Sequence, residues 1–203
     1  MVKVNALFFD LGGVLLRTED RTPRQQLASR LGMTYGHLSE LVFNSETARL
    51  ATIGKIGAEE HWEQVRQTLG LAPDEFLAVR KDFWEGDRLD THLIQYLRRI
   101  RSTRKTALLS NAWNDLRAYI ETQWKFADAF DEMIISAEIG LAKPDPRIYR
   151  YAAARFGFQP DECVLVDDFI ENVDGSRSIG MQAIHFKSSS AALEELEALL
   201  NGE

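Results

Sequence analysis

Polar side chains with chemical potential stand at the ends of apolar runs in this chain. Asp10 closes the run Leu7-Phe8-Phe9, and Gly12 and Gly13 follow almost at once. Ser110 and Asn111 close Ala107-Leu108-Leu109. Asp167 and Asp168 close Val164-Leu165-Val166, with Asn172 and Asp174 close behind. Lys143 lies in the loop Gly140-Leu141-Ala142-Lys143-Pro144, which could return it to the same edge. Three carboxylates would then meet one ammonium. Two like charges ~4 Å apart repel by roughly 4 kcal/mol even at an effective dielectric of 20, so such a cluster needs a cation. Hard oxygen ligands without His or Cys point to Mg²⁺, which binds through one or two carboxylates, its own waters and a substrate phosphate. Ser110, the backbone N–H of Asn111 and Lys143 could hold the remaining phosphoryl oxygens. One Asp oxygen would stay free to attack phosphorus and form an aspartyl-phosphate. Each piece alone has a plainer explanation: a helix cap for Ser110-Asn111, a solvated Lys143, a turn for Asp167-Asp168. Their order, each at a predicted strand end, favours one shared site.

The elements that must position these groups are legible as patterns. Apolar runs at 4–9, 106–109, 132–136, 163–166 and 182–186 read as strands. From the second run onward, helical patterns alternate with them. Asp90 can cap a helix with Leu93, Ile94, Leu97 and Ile100 on one face. A helix is expected over 113–123, another opens at Pro146 after Asp145, and a third runs over 170–179 to Gly180. This alternation predicts an α/β fold: a doubly wound parallel sheet with helices on both faces. Ligands bind such sheets at the carboxyl ends of the strands.

The long stretch between the first two runs shows no convincing strand. It reads as helices at 23–31, 35–43, 58–69 and 73–84. A structureless loop of that length would be implausible. Residues 17–88 are therefore expected to form a helical cap domain above the carboxyl edge, and 1–16 with 89–203 the core domain. The Trp and Phe residues of the insert are read as its core. Trp113, directly after Ser110-Asn111-Ala112, is either a wall for a leaving group or the packed first turn of a helix.

Composition narrows the class. The 203 residues are 45% hydrophobic and 27% charged, with a net charge of −7, as in a folded globular protein. No basic run stands out, so nucleic acid is not an expected partner. The first apolar run is too short for a signal-peptide core or a membrane span, and Asp10 interrupts it, so a cytoplasmic protein without a membrane partner is expected. The one cysteine, Cys163, is read as a small core residue. The last helix, carrying Leu193, Leu196, Leu199 and Leu200, can pack on the core or on a second subunit; the oligomeric state stays open.

The four segments resemble the motifs of the haloacid dehalogenase-like (HAD) hydrolases. Phe8-Phe9-Asp10-Leu11-Gly12-Gly13-Val14 is similar to the first motif and Leu109-Ser110-Asn111 to the second. Lys143-Pro144 is similar to the third, and Val166-Asp167-Asp168 with Asn172 to the fourth. The insert resembles the cap of the α-helical-cap phosphatases. The resemblance implies a Rossmann-like core and Mg²⁺-dependent hydrolysis of a small phosphorylated metabolite. It implies Asp10 as nucleophile and metal ligand, with the Gly12 carbonyl and Asp168 as further ligands. Asp167 would act through the metal's water shell or bind directly. Ser110, Asn111 and Lys143 would hold the phosphate, Lys143 with a catalytic part.

One departure bears on chemistry. Most phosphatases of the family carry a second Asp two residues after the nucleophile as general acid and base; here that position is Gly12. Glu19, Asp20 and His37 lie in a segment that could supply a substitute. An alternative reading follows from Gly12, a catalytically weak protein that binds a phosphorylated ligand or a protein partner. The metal-free dehalogenase branch is disfavoured, because Asp167-Asp168 would stand uncompensated beside Asp10. General acid–base help is typically worth 10²–10⁴-fold. Gly12→Asp is expected to raise turnover of alkyl phosphates more than that of p-nitrophenyl phosphate, whose leaving group needs no proton. Equal effects in steady-state kinetics would show that leaving-group protonation is not the missing step.

Overall fold

The fold was analysed in a computed structural model that describes residues 3–202. Strand β1 (Ala6–Phe9) lies at the centre. Its four residues are all buried, as a parallel strand covered on both faces requires. Leu7 and Phe9 enter the apolar layer on one side of the sheet, and Ala6 and Phe8 the layer on the other. The chain then forms β2 (Leu16–Thr18), and five helices follow: α1 (Thr22–Arg30), α2 (Tyr35–Phe43), α3 (Glu46–Thr52), α4 (Ala58–Leu69) and α5 (Pro73–Trp84). β3 (Asp87–Leu89) brings it back, antiparallel to β2.

From there strands and helices alternate: α6 (Thr91–Ile100), β4 (Lys105–Ser110), α7 (Leu116–Ala118), β5 (Glu132–Ile135), α8 (Ser136–Ile139), α9 (Pro146–Arg155), β6 (Cys163–Asp167), α10 (Ile170–Arg177), β7 (Gln182–His185) and α11 (Ser189–Asn201). The main sheet is parallel in the order β5-β4-β1-β6-β7. Leu93, Ile94 and Leu97 of α6 and Ala192 and Leu196 of α11 cover one face. Ile148, Tyr149, Ala152 and Ala153 of α9 and Val173 of α10 cover the other. The result is the doubly wound α/β core that the alternation predicts. The leucines of α11 pack on this core. Cys163 is buried, and burial pushes its thiol up to about 12. Among the described residues no helix is long and apolar enough to cross a membrane.

Three expectations need correction. The long inserted stretch does contain strands: β2 and β3 are three residues each and pair with one another across it. Helix α3, capped by Ser45 through the Ala48 N–H, had no counterpart in the helices expected. The helix expected over 113–123 begins only at Leu116 and passes into a π-helix over Tyr119–Trp124, so Trp113 stands in the loop before it.

The inserted helices bury their own apolar cluster, built on Leu27, Leu38, Trp62, Phe76 and Phe83. A buried cation runs alongside it. Arg24 of α1 donates from Nε to the Phe83 carbonyl at 2.9 Å and from Nη2 to both Asp87 oxygens at 3.1 Å. Its guanidinium also lies 4.1 Å from the centroid of the Phe83 ring. Removing one partner of a buried pair strands the other, at a cost of about 3–5 kcal/mol. Arg24→Ala is expected to lower the free energy of unfolding by about that much in denaturant titrations. A loss under about 1 kcal/mol, the scale of an exposed pair, would show that water reaches Asp87.

Candidate active site

Strand register brings the acids together. Phe9 is level with Val166 of β6 and Leu108 of β4. One residue on, Asp10 is level with Asp167, and Ser110 stands just beyond it on the other side. The Asp10 N–H continues the ladder to the Val166 carbonyl at 3.0 Å. Ligand oxygens of Asp10, Asp167 and Asp168 lie within 4.8 Å of one another.

Lys143 enters between them. Its side chain is wholly buried, and Nζ lies 3.0 Å from Asp10 Oδ1 and 2.5 Å from Asp167 Oδ2. The loop that delivers it is clasped by Asn111. The Asn111 amide donates to the Lys143 carbonyl at 2.8 Å, and the Lys143 N–H donates to Asn111 Oδ1 at 2.8 Å. The Asn111 side chain is therefore spent on positioning Lys143, which leaves its backbone N–H for a ligand.

The three carboxylates differ in their surroundings. Asp10 Oδ1 also accepts the Leu11 N–H at 2.7 Å, so both its donors fall on one oxygen and Oδ2 stays free. Asp167 is saturated: the Phe169 N–H donates to Oδ1 at 2.9 Å, and the Asn172 amide reaches both oxygens at 3.0 and 3.2 Å. Asn172 is held in turn by the Tyr149 hydroxyl, which donates to its carbonyl at 2.8 Å. Asp168 is the opposite case, with a buried Oδ1 that has no hydrogen-bond partner.

Charge follows this geometry. Burial pushes the Asp10 carboxyl up to about 6; Lys143 opposes the rise and Asp167 adds to it. Burial, and then Asp167, also raise the Asp168 carboxyl above its ordinary value. Burial works against the Lys143 charge, but Asp10 and Asp167 outweigh it and hold the ammonium above its usual range. One ammonium does not balance three carboxylates. A buried carboxylate oxygen without a donor, in an all-oxygen cluster, fits a hard divalent cation. Asp168 Oδ1 can meet it without giving up a hydrogen bond, whereas both oxygens of Asp167 are already engaged.

The two glycines serve different ends. Gly13 has a φ of +74°, and a Cβ there would lie 2.0 Å from Asp168 Oδ2. A Cβ on Gly12 would meet nothing within 4 Å. The structure brings none of the proposed substitutes to the acids. Glu19 pairs with Arg17 at 2.9 Å, the Asp20 carboxylate accepts the Thr22 N–H at 2.8 Å, and His37 is exposed in the first turn of α2. Asp174 is likewise turned outward, 3.8 Å from Arg177.

Sequence reasoning missed the Tyr149 support of Asn172, because the hydroxyl sits 23 residues away on another helix. It also missed His185, whose Nε2 lies 3.0 Å from the Asp168 carbonyl. The β6–β7 register sets His185 level with Asp167 and is the only signal that could have found it.

An acid cluster with one buried lysine at the carboxyl edge of a doubly wound sheet defines a phosphoryl-handling class of α/β protein. The family model of haloacid dehalogenase-like hydrolases matches residues 4–180, and the chain belongs to that family. It is 28% identical over 200 residues to a sesquiterpene phosphatase of Aspergillus oryzae, covering 96% of each chain. It is also 28% identical over 215 residues to the bifunctional epoxide hydrolase 2 of Sus scrofa, but spans only 38% of that longer protein. Among solved structures, a HAD family enzyme of Bacteroides thetaiotaomicron in complex with magnesium and inorganic phosphate superposes with a TM-score of 0.75. It shares 22% identity, with 92% of this chain and 96% of that one covered. Phosphatases recur among the relatives, and the chain itself is a hydrolase by family.

Gly13→Ala is expected to displace the Asp168 carboxylate and weaken divalent-cation binding about 10–100-fold, the usual scale when a ligand loses its support. The readout is the rise in melting temperature on adding Mg²⁺. A rise equal to that of the unaltered protein would show that Asp168 does not meet the ion.

Proposed function

We propose that the chain is an Mg²⁺-dependent phosphatase of small phosphorylated metabolites and that Asp10 is its nucleophile. The observation that carries this reading is the asymmetry of the Asp10 carboxylate. Lys143 and the Leu11 N–H hold Oδ1, so Oδ2 is fixed in place and unencumbered. Oδ2 attacks phosphorus, the bond from phosphorus to the leaving oxygen breaks, and an aspartyl-phosphate forms. Water then releases phosphate and returns the carboxylate. Asp168, the Gly12 carbonyl and Asp10, through the oxygen that does not attack, would hold Mg²⁺, with Asp167 beside it. When bound, the ion neutralises the acids and draws charge from the phosphoryl oxygens. The Ser110 hydroxyl, the Asn111 N–H and Lys143 bind the other phosphoryl oxygens. Lys143 also orients Asp10.

Residues 17–88 would act as a cap on the core of 1–16 and 89–203. Their separate apolar cluster and the β2–β3 ribbon at their base support this division. The cap would limit substrate size and exclude water during transfer. The acidic net charge of −7 weighs against a nucleic-acid partner. Gly12 supports a second reading, a protein that binds a phosphorylated ligand and turns it over slowly.

The test is phosphate release from p-nitrophenyl phosphate and a panel of sugar, nucleotide and acyl phosphates, with Mg²⁺ and with EDTA. Release is expected only with metal, and Asp10→Asn is expected to reduce it by about 10³-fold or more, as loss of a nucleophile does. Release that survives in Asp10→Asn would remove Asp10 from that role. Binding of Mg²⁺ and phosphate with no release from any compound would favour the second reading.

A further inference from the structure

The four residues after Ser110 are each tied to another part of the chain, and the last two ties both reach α4 of the inserted helices. Asn111 clasps the Lys143 backbone. The Ala112 N–H donates to Ser136 Oγ at 3.0 Å, that hydroxyl lies 3.2 Å from the Ala112 carbonyl, and the Ala137 N–H donates to the same carbonyl at 3.3 Å. Trp113 packs on the apolar cluster of the inserted helices. Its ring centroid lies 4.6 Å from that of His61 and 5.5 Å from that of Trp62, edge-on to the latter.

Asn114 completes the contact from outside α4. That helix begins after Gly57, which has no side chain to cap it. The first turn of a helix leaves N–H groups without intrahelical partners, and a polar side chain normally satisfies one of them. Here the Ala58 N–H donates to Asn114 Oδ1 at 2.8 Å. A second approach lies beside it. The turn at Gly54, with a φ of +68°, runs so close to α8 that a Cβ would lie 2.1 Å from the Ala137 carbonyl oxygen. Ala137 is also the residue whose N–H bonds to Ala112. The inserted helices thus press on the phosphate-side loop at both ends of one hydrogen-bonded unit.

The geometry points to Trp113 and Asn114 as positioning residues that couple docking of the inserted helices to the Ser110–Asn111 phosphate loop. Lifting α4 frees the Asn114 amide and uncovers Trp113. Ala112 then loses part of its restraint, and the Asn111 N–H and Ser110 hydroxyl, next in the chain, lose their fixed aim. The loop takes its phosphate-binding form when α4 is seated. This rests on the phosphatase reading for its effect on turnover, but the coupling itself is a property of the backbone and is read without substrate.

Asn114→Ala removes the acceptor, and Asn114→Asp keeps it while adding a charge favourable at a helix N-terminus. Hydrogen exchange of the full chain is the first readout. Asn114→Ala is expected to speed exchange about fivefold, the scale of a lost N-terminal cap, both in the first turn of α4 and at residues 110–113. Asn114→Asp is expected to restore both. Faster exchange confined to α4 would overturn the coupling, as would no change in either place. Kinetics with p-nitrophenyl phosphate are the second readout. Asn114→Ala is expected to lower kcat/KM and to weaken inhibition by inorganic phosphate together, with recovery in Asn114→Asp. Unaltered kinetics in Asn114→Ala, in a protein that does release phosphate, would also overturn the coupling. If the unaltered protein neither releases nor binds phosphate, the phosphatase reading fails, and exchange alone still decides the coupling.

Discussion

The site depends on one buried ammonium. Lys143 Nζ sits between Asp10 and Asp167 with its side chain fully withdrawn from water. Burying an ion costs several kcal/mol unless partners surround it, and here two carboxylates do. The converse also holds, since the parallel register sets Asp10 and Asp167 side by side. At ~4 Å their repulsion would reach roughly 4 kcal/mol without a cation. Much of the local structure can be read as support for this arrangement. Asn111 fixes the Lys143 backbone on both sides, Asn172 grips both Asp167 oxygens, and Tyr149 of α9 holds Asn172 from below. One lysine still leaves the cluster negative; burial, with Asp167 adding to it, keeps the Asp10 carboxyl near 6 and the Asp168 carboxyl raised.

That imbalance sorts the acids. Asp167 has four donor contacts and acts on its neighbours as a fixed charge. Asp10 has one oxygen held and one open. Asp168 has a buried oxygen with no donor at all. The same residue type thus supplies a counterion, a proposed nucleophile and a proposed ligand, and the difference lies in the donors around each. Gly13 belongs to the same logic. Only a residue without Cβ lets the backbone after β1 pass against Asp168.

The core and the acids were legible because their signals are local. Strands buried on both faces write themselves as apolar runs, and three of the five runs here are followed by the polar groups they deliver, Asp10, Ser110 and Asp167. Pro73, Gly70 and Gly57 punctuate α4 and α5, so the limits of those helices follow from the chain alone. What stayed hidden depends on distant partners. β2 and β3 are three half-buried or exposed residues each, held by pairing across the whole insert and by the Thr18 hydroxyl, which donates to Asp87 at 2.6 Å. Arg24 looks like a surface residue of a polar helix until Asp87, 63 residues on, is placed beside it. The sequence leaves Trp113 open between a leaving-group wall and a packed helical turn, and the structure packs it on His61 and Trp62; the Asn111 side chain turns to the Lys143 backbone. No spacing rule reveals such choices, because they are settled by which loop arrives next to which.

Gly12 and Gly13 show how far one residue type can mislead. A glycine pair after a strand suggests that both positions need freedom of approach. The structure divides them: Gly13 has no room for a side chain, and Gly12 has open space around its missing Cβ. Crowding at Cβ therefore does not explain why position 12 lacks a side chain. The consequence is chemical. None of Glu19, Asp20 and His37 reaches the acids in this structure, so a leaving oxygen would depart without a proton from these groups. The barrier then falls on the stability of the departing anion, and substrates whose leaving groups carry their own charge well gain the advantage. On the proposed phosphatase reading, such a site would select by leaving group before any contact with the rest of the substrate is made.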